Sequence, residues 1–145
     1  MVKEFSAISE LKSIREQKSR LSERENELSV PMLTDLSVIT EIYDMFCEIQ
    51  GNRDCSGRNE SAHIRKKFIF IILFLYAPSV LAGGRMPIGL RNAIADAVKI
   101  SDITFISHNV ETVVFMYQNY KDFRQDISYL YTEILNRLKF KGLIN

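Results

Sequence analysis

The chain has 145 residues, a formal net charge of +1, 46% hydrophobic and 26% charged residues. This is the profile of a soluble globular protein, one domain or a small domain with a helical extension. With 6 Gly and 3 Pro it argues against a turn-rich β-sandwich, and its 2 Cys are too few for a disulfide scaffold.

Cys47 and Cys55 lie near a polar stretch. Reduced thiols in a cytoplasmic protein are the expected state, with a local bridge as the alternative. The near-neutral charge conceals an asymmetry. Residues 1–60 hold 8 Lys/Arg against 12 Asp/Glu, a net of −4, and residues 61–145 hold 11 against 6, a net of +5. A basic C-terminal part can act locally on a nucleic acid whatever the total.

Residues 3–28 read as a solvent-exposed helix. Ala7, Leu11, Ile14, Leu21 and Leu28 fall on a 3-4 spacing that Lys18 and Glu25 interrupt. A short coiled coil, a helix docked on a partner and a frayed charged helix all fit that pattern. Pro31 ends it, because proline disfavours helix at Val30. A second helix is expected over 34–50, capped by Thr34, with Leu36, Ile39, Ile42, Tyr43, Phe46 and Ile49 as its apolar stripe. Gly51–Asn59 is the best linker in the chain.

Residues 60–77 form the most apolar helix, with Asn59 as a cap, the basic group Arg65-Lys66-Lys67 near its start and Pro78 behind it. Its run Phe68–Ala77 looks like a signal peptide but sits mid-chain, and it is far short of the roughly 20 residues that span a bilayer. A buried core helix is expected, with no membrane association. Ser79–Pro87, with Gly83-Gly84-Arg85, is a loop or short helical turn. Helices are then expected at about Ile88–Val98, Asp102–Tyr117 and Asp122–Lys139. Their inward positions are Leu90, Ile94, Ala95 and Val98; Ile103, Ile106, Val110, Val113, Val114 and Tyr117; and Phe123, Ile127, Leu130, Ile134 and Leu138.

Two helices joined across Lys99-Ile100-Ser101 have the form of a helix-turn-helix. Ser101 or Asp102 would cap the second, whose N-terminal N–H groups and dipole suit a phosphate. Thr104, Phe105, Ser107, His108 and Glu111 lie off its apolar stripe. Thr, Ser and His hydrogen-bond to base edges or phosphates. Arg85 beside two glycines is a candidate phosphate contact.

Here the sequence resembles a known family. Residues from about 61 to 139 look like the C-terminal DNA-binding domain of the bacterial replication initiator DnaA. That domain's signature, approximately Arg-Asp-His-Thr-Thr-Val-x-His-Ala, aligns with Ser101-Asp102-Ile103-Thr104-Phe105-Ile106-Ser107-His108-Asn109. Asp102, Thr104 and His108 match, and Ile106 replaces Val. Leu90-x-x-x-Ile94-Ala95 upstream and Asp122-Phe123-x-x-Asp126-Ile127-x-x-Leu130 downstream also fit. The resemblance implies a long apolar first helix, a helix-turn-helix and a closing helix. Ser101, Ile103 and Phe105 depart from the signature at positions where the family carries Arg, His and Thr, and residues 1–60 show no Gly-rich phosphate loop.

No catalytic residue, metal ligand set or cofactor is expected. His63 and His108 are the 2 histidines, and neither has a partner at metal-ligand spacing. The expectation is an all-α protein of about six helices, with residues 1–58 an acidic helical extension and linker and residues 59–145 a DnaA-type helix-turn-helix domain. Its function would be non-catalytic binding of double-stranded DNA in replication or transcription regulation, in the manner of a phage or mobile-element protein. Phosphate contacts would come from Arg65, Lys66, Lys67, Arg85, Arg91 and Lys99, and selectivity from Thr104, Ser107, His108 and Asn109, with the cap residues Ser101 and Asp102 also at the DNA. A homodimer or a protein partner would use residues 3–50. The alternative is a protein-interaction module on a helix-turn-helix fold that no longer binds DNA.

Overall fold

The structure is a computed structural model and describes residues 4–51 and 58–145. Among these the chain is all-helical, with seven α-helices and no strand. They are α1 (Ser6–Leu28), α2 (Ile39–Ile49), α3 (Arg58–Tyr76), α4 (Pro78–Leu81), α5 (Leu90–Val98), α6 (Thr104–Asn119) and α7 (Lys121–Phe140). The helix beyond the expected six is α4, inside the segment expected as a loop or short turn. The chain divides into two compact units, Met1–Val30 and Pro31–Asn145.

The first unit is α1, 23 residues long, and none of its residues is buried. Its last turn closes on Ser29, whose N–H and hydroxyl both donate to the Glu25 carbonyl.

The second unit is built around α3. Phe68, Ile69, Ile71, Ile72, Leu73 and Leu75 are fully buried, so the C-terminal half of the helix is covered almost all round, with Phe74 left 46% exposed. From α2, Tyr43 and Phe46 pack on Phe68 with ring centroids 4.9 and 5.4 Å away. From α6, Tyr117 stacks on Phe70 at 4.8 Å, and from α7, Tyr131 meets Phe74 edge-on at 5.3 Å. The inward residues expected for the last helix, Phe123, Ile127, Leu130, Ile134 and Leu138, are all buried, as are Leu90, Ile94, Ala95 and Val98 of α5. In α6 Ile106 and Val113 are buried while Val110, Val114 and Tyr117 are half-buried.

Three local expectations are corrected. The second helix starts later, through a 3-10 turn at Leu36–Val38, and its entry is capped by Asp35, which accepts from Ser37 N–H at 3.0 Å, in place of Thr34. Asn59 lies inside α3, since that helix begins at Arg58. Of the expected linker Gly51–Asn59, residues 52–57 lie outside the described residues, and with Cys55 among them so does the pairing of Cys47 with Cys55.

The domain boundary expected at 58/59 is also corrected, because the compact unit begins at Pro31. Its α2 buries Ile39, Ile42, Met45 and Phe46, a full core face. The chain ahead of α2 is held by the end of α3. The Leu75 carbonyl accepts from Met32 and Leu33 N–H at 2.9 and 3.1 Å, and the Tyr76 hydroxyl donates to the Asp35 carbonyl at 2.7 Å. On the rim, Arg137 pairs with Glu48 at 2.8 Å and Lys141 with Glu41 at 2.6 Å, tying α7 to α2. Exposed pairs like these contribute little beside the buried face.

Two outcomes test this arrangement. Ile72→Asp should abolish the cooperative thermal transition, since an unpaired buried carboxylate costs several kcal/mol against a total of about 5–15. A chain of residues 31–145 should melt as the full chain does, whereas residues 59–145 should show no cooperative transition. The shorter piece loses four buried apolar side chains of α2 worth about 1.5–3 kcal/mol each.

Candidate nucleic-acid interface

The two helices of the motif meet across Lys99–Ile103. α5 ends in a Schellman closure, with Ile100 N–H donating to the Ala95 carbonyl at 2.9 Å and Lys99 N–H to that of Asp96 at 3.3 Å. Lys99 takes the left-handed position, with φ of 59°. Gly83 and Gly142 fill the same position at the ends of α4 and α7, and only glycine does so without steric cost. A lysine is thus held at the tightest point of the turn, exposed to solvent.

At the start of α6 the cap is Asp102, one of the two residues expected for it. Its Oδ1 accepts from Thr104 N–H at 3.0 Å and from the Thr104 hydroxyl. These bonds, with a smaller contribution from the charge of His108, hold the Asp102 carboxyl below its usual range. The carboxylate's support for the helix is therefore present above pH ~4 and fades as acid protonates it.

Ile103 is half-buried and packed against the core, and so is Phe105, which corrects the expectation that it lies off the apolar stripe. Thr104, Ser107 and His108 are exposed on the outer side of the same turns. Arg91 of α5 donates to Ser107 Oγ at 2.9 Å, joining the N-terminal turns of the two helices. Ser101 is exposed, while Asn109 is half-buried and its amide donates to the Phe105 carbonyl at 2.7 Å. That bond turns Asn109 back onto its own helix, leaving the outer face to Thr104, Ser107 and His108.

The basic residues expected to act together fall into two groups. Arg85, Arg91 and Lys99 flank the motif. Arg65, Lys66 and Lys67 belong to the N-terminal part of α3, where His63 borders a polar recess with Asn119, Lys121 and Asp122. This is the far end of α6, about 22 Å from Thr104 at 1.5 Å per residue. Lys67 is a correction outright. Its side chain is 6% exposed and its ammonium donates to the half-exposed Asp126 at 2.8 Å, so its charge is spent on a carboxylate of α7 and is closed to any phosphate. The glycines beside Arg85 also have a structural task. Gly83 and Gly84 close α4, and a Cβ on Gly84 would stand 2.8 Å from the Ser79 carbonyl oxygen. Arg85 itself is exposed.

Sequence reading did not single out an apolar recess of about 280 Å³ between α3, α6 and α7, lined by Phe70, Phe74, Tyr117 and Tyr131 among others. Its one sequence signal is the i,i+4 pair Phe70/Phe74, hidden within a run that is apolar throughout. Among the described residues no group of three or more His, Cys, Asp or Glu is placed to hold a metal, and no helix is long and apolar enough to cross a membrane.

Lys67→Met should leave thermal stability unchanged or slightly higher, because a well-packed apolar side chain replaces a buried ion pair at little cost. Asp126→Ala should lower stability by about 2–3 kcal/mol, a figure reduced for the half-exposed carboxylate, because it strands the buried ammonium. Denaturant unfolding reads both. Lys99→Gly should raise the melting temperature through relief of the left-handed lysine, worth about 1 kcal/mol.

Compared with known proteins, the chain matches no family model, no curated protein and no solved structure.

Proposed function

We propose that the protein binds double-stranded DNA without catalysis, laying the N-terminal turns of α6 in the major groove. The observation that carries this reading is the division of those turns. Their apolar residues, Ile103, Phe105 and Ile106, are turned onto the core, and their short hydrogen-bonding residues, Thr104, Ser107 and His108, are turned outward. A helix with that division presents a polar edge of the size that reads base pairs. The likeness of Ser101–Asn109 to the initiator signature supports the same reading, and replication or transcription control is the setting it implies.

In this reading Arg85, Arg91 and Lys99 neutralise phosphates, while Lys67 takes no part and Arg65 and Lys66 stand apart. Thr104, Ser107 and His108 contact base edges. Asp102 acts by fixing the first turn of α6. The carboxylates Asp96, Asp102 and Glu111 are exposed on α5, the turn and α6, and α6 itself carries no Lys or Arg, so the electrostatic component is modest. A protein partner on the same fold is the second reading. The fully exposed Ile88, just ahead of α5, favours it.

A titration of the full chain against duplex DNA at several salt concentrations tests the proposal. With three phosphate contacts, log K should fall against log salt with a slope of about −3. Arg85→Ala should flatten that slope by about one unit for every sequence alike, and Lys67→Met should leave it unchanged. Thr104→Ala and His108→Ala should keep the slope and narrow the preference among sequences, each by less than the roughly 1–3 kcal/mol of a bidentate contact. A folded protein with no salt-dependent affinity for any duplex would leave the protein-partner reading in its place.

A further inference from the structure

A second surface lies on α1. Leu11, Ile14, Leu21 and Leu28 are between 41% and 70% exposed, and they recur in one 3-4 stripe along the helix. A helix with no buried side chain draws nothing from tertiary packing, so this stripe gains from a partner helix that covers it.

We propose that the partner is α1 of a second copy, running antiparallel. The two polar residues in the stripe decide the orientation. With Ile14, Leu21 and Leu28 at the d positions, Leu11, Lys18 and Glu25 occupy the a positions. In a parallel pair each a residue faces its own copy, which sets Lys18 against Lys18 and Glu25 against Glu25 across the seam. Like charges in one layer repel.

Reversing one helix pairs each a with a d. Leu11 then faces Leu28, Ile14 faces Glu25, and Lys18 faces Leu21. Each Lys18 has Glu25 of the other copy in one neighbouring layer, and the other copy's Lys18 in the next. The two Lys–Glu relations outnumber the single Lys–Lys one. The flanking g positions are compatible with this direction. Glu10 of each helix falls beside Arg24 of the other, giving two opposite-charge pairs related by the two-fold axis. A parallel pair would offer Glu10 the partner's Arg15 in the same way, so the flanks fit either direction and the like charges at Lys18 and Glu25 alone decide it.

Sedimentation equilibrium on the full chain tests the association, and charge exchange tests the direction. The wild type should dimerise reversibly at about 100 μM, and Leu11→Asp should be monomeric there with the melting transition of residues 31–145 unchanged. Glu10→Arg should weaken the dimer about threefold or more, and Glu10→Arg combined with Arg24→Glu should restore it to within about twofold. A parallel pair would instead set Glu10 beside Arg15, so restoration by Arg15→Glu in place of Arg24→Glu overturns the antiparallel assignment. A wild type that stays monomeric to about 500 μM, or a Leu11→Asp variant that dimerises as well as wild type, overturns the self-association itself.

Discussion

The C-terminal half of α3 is apolar almost all round, and apart from the half-exposed Phe74 it has no face it can offer to water. α2, α6 and α7 cover it, while α5 packs chiefly on α2. α2 lies over Phe68, α6 over Phe70 and α7 over Phe74, each with an aromatic ring against the one it covers. The one ammonium drawn into this region, Lys67, is held by Asp126 from α7, so even its charge is used to dock a covering helix.

The same constraint reaches the ends of α3. Pro78 follows directly and cannot continue the hydrogen-bond ladder. The Leu75 carbonyl is taken by the backbone at Met32 and Leu33, which begins the path that brings α2 into place. The segment ahead of α2 therefore belongs to the core by backbone hydrogen bonds as well as by its side chains. Removing it would open both the Phe68 face and the end of the central helix.

The α5–α6 pair inherits its geometry from that core. α5 is buried through Leu90, Ile94, Ala95, Ala97 and Val98, and its left-handed closure at Lys99 redirects the chain within a few residues. Ile103, Phe105 and Ile106 then turn inward, and the rotation of α6 about its axis follows. Thr104, Ser107 and His108 are outward because the apolar residues between them are inward. Ile103 and Phe105 pack against the core, and Ser101 stays in solvent.

By itself the sequence determined the helical class, the extent of the central helix and the inward stripes of α5 and α7, because each depends on periodicity and on prolines that act locally. It also placed the turn between α5 and α6 and the outward residues Thr104, Ser107 and His108. Tertiary structure decided whatever depends on residues far apart in the chain. Lys67 reads as one of three basic neighbours, and only the approach of Asp126 from 59 positions away makes it a buried ion-pair partner. The stripe of α2 was legible but its destination was not, since nothing local links Phe46 to Phe68. Arg65 and Lys66 could be paired with the motif on paper, yet the length of α6 separates them from its first turn. Periodicity shows which face of a helix is buried. Which neighbour buries it, and which charges that neighbour brings, is settled only when the whole chain has closed around α3.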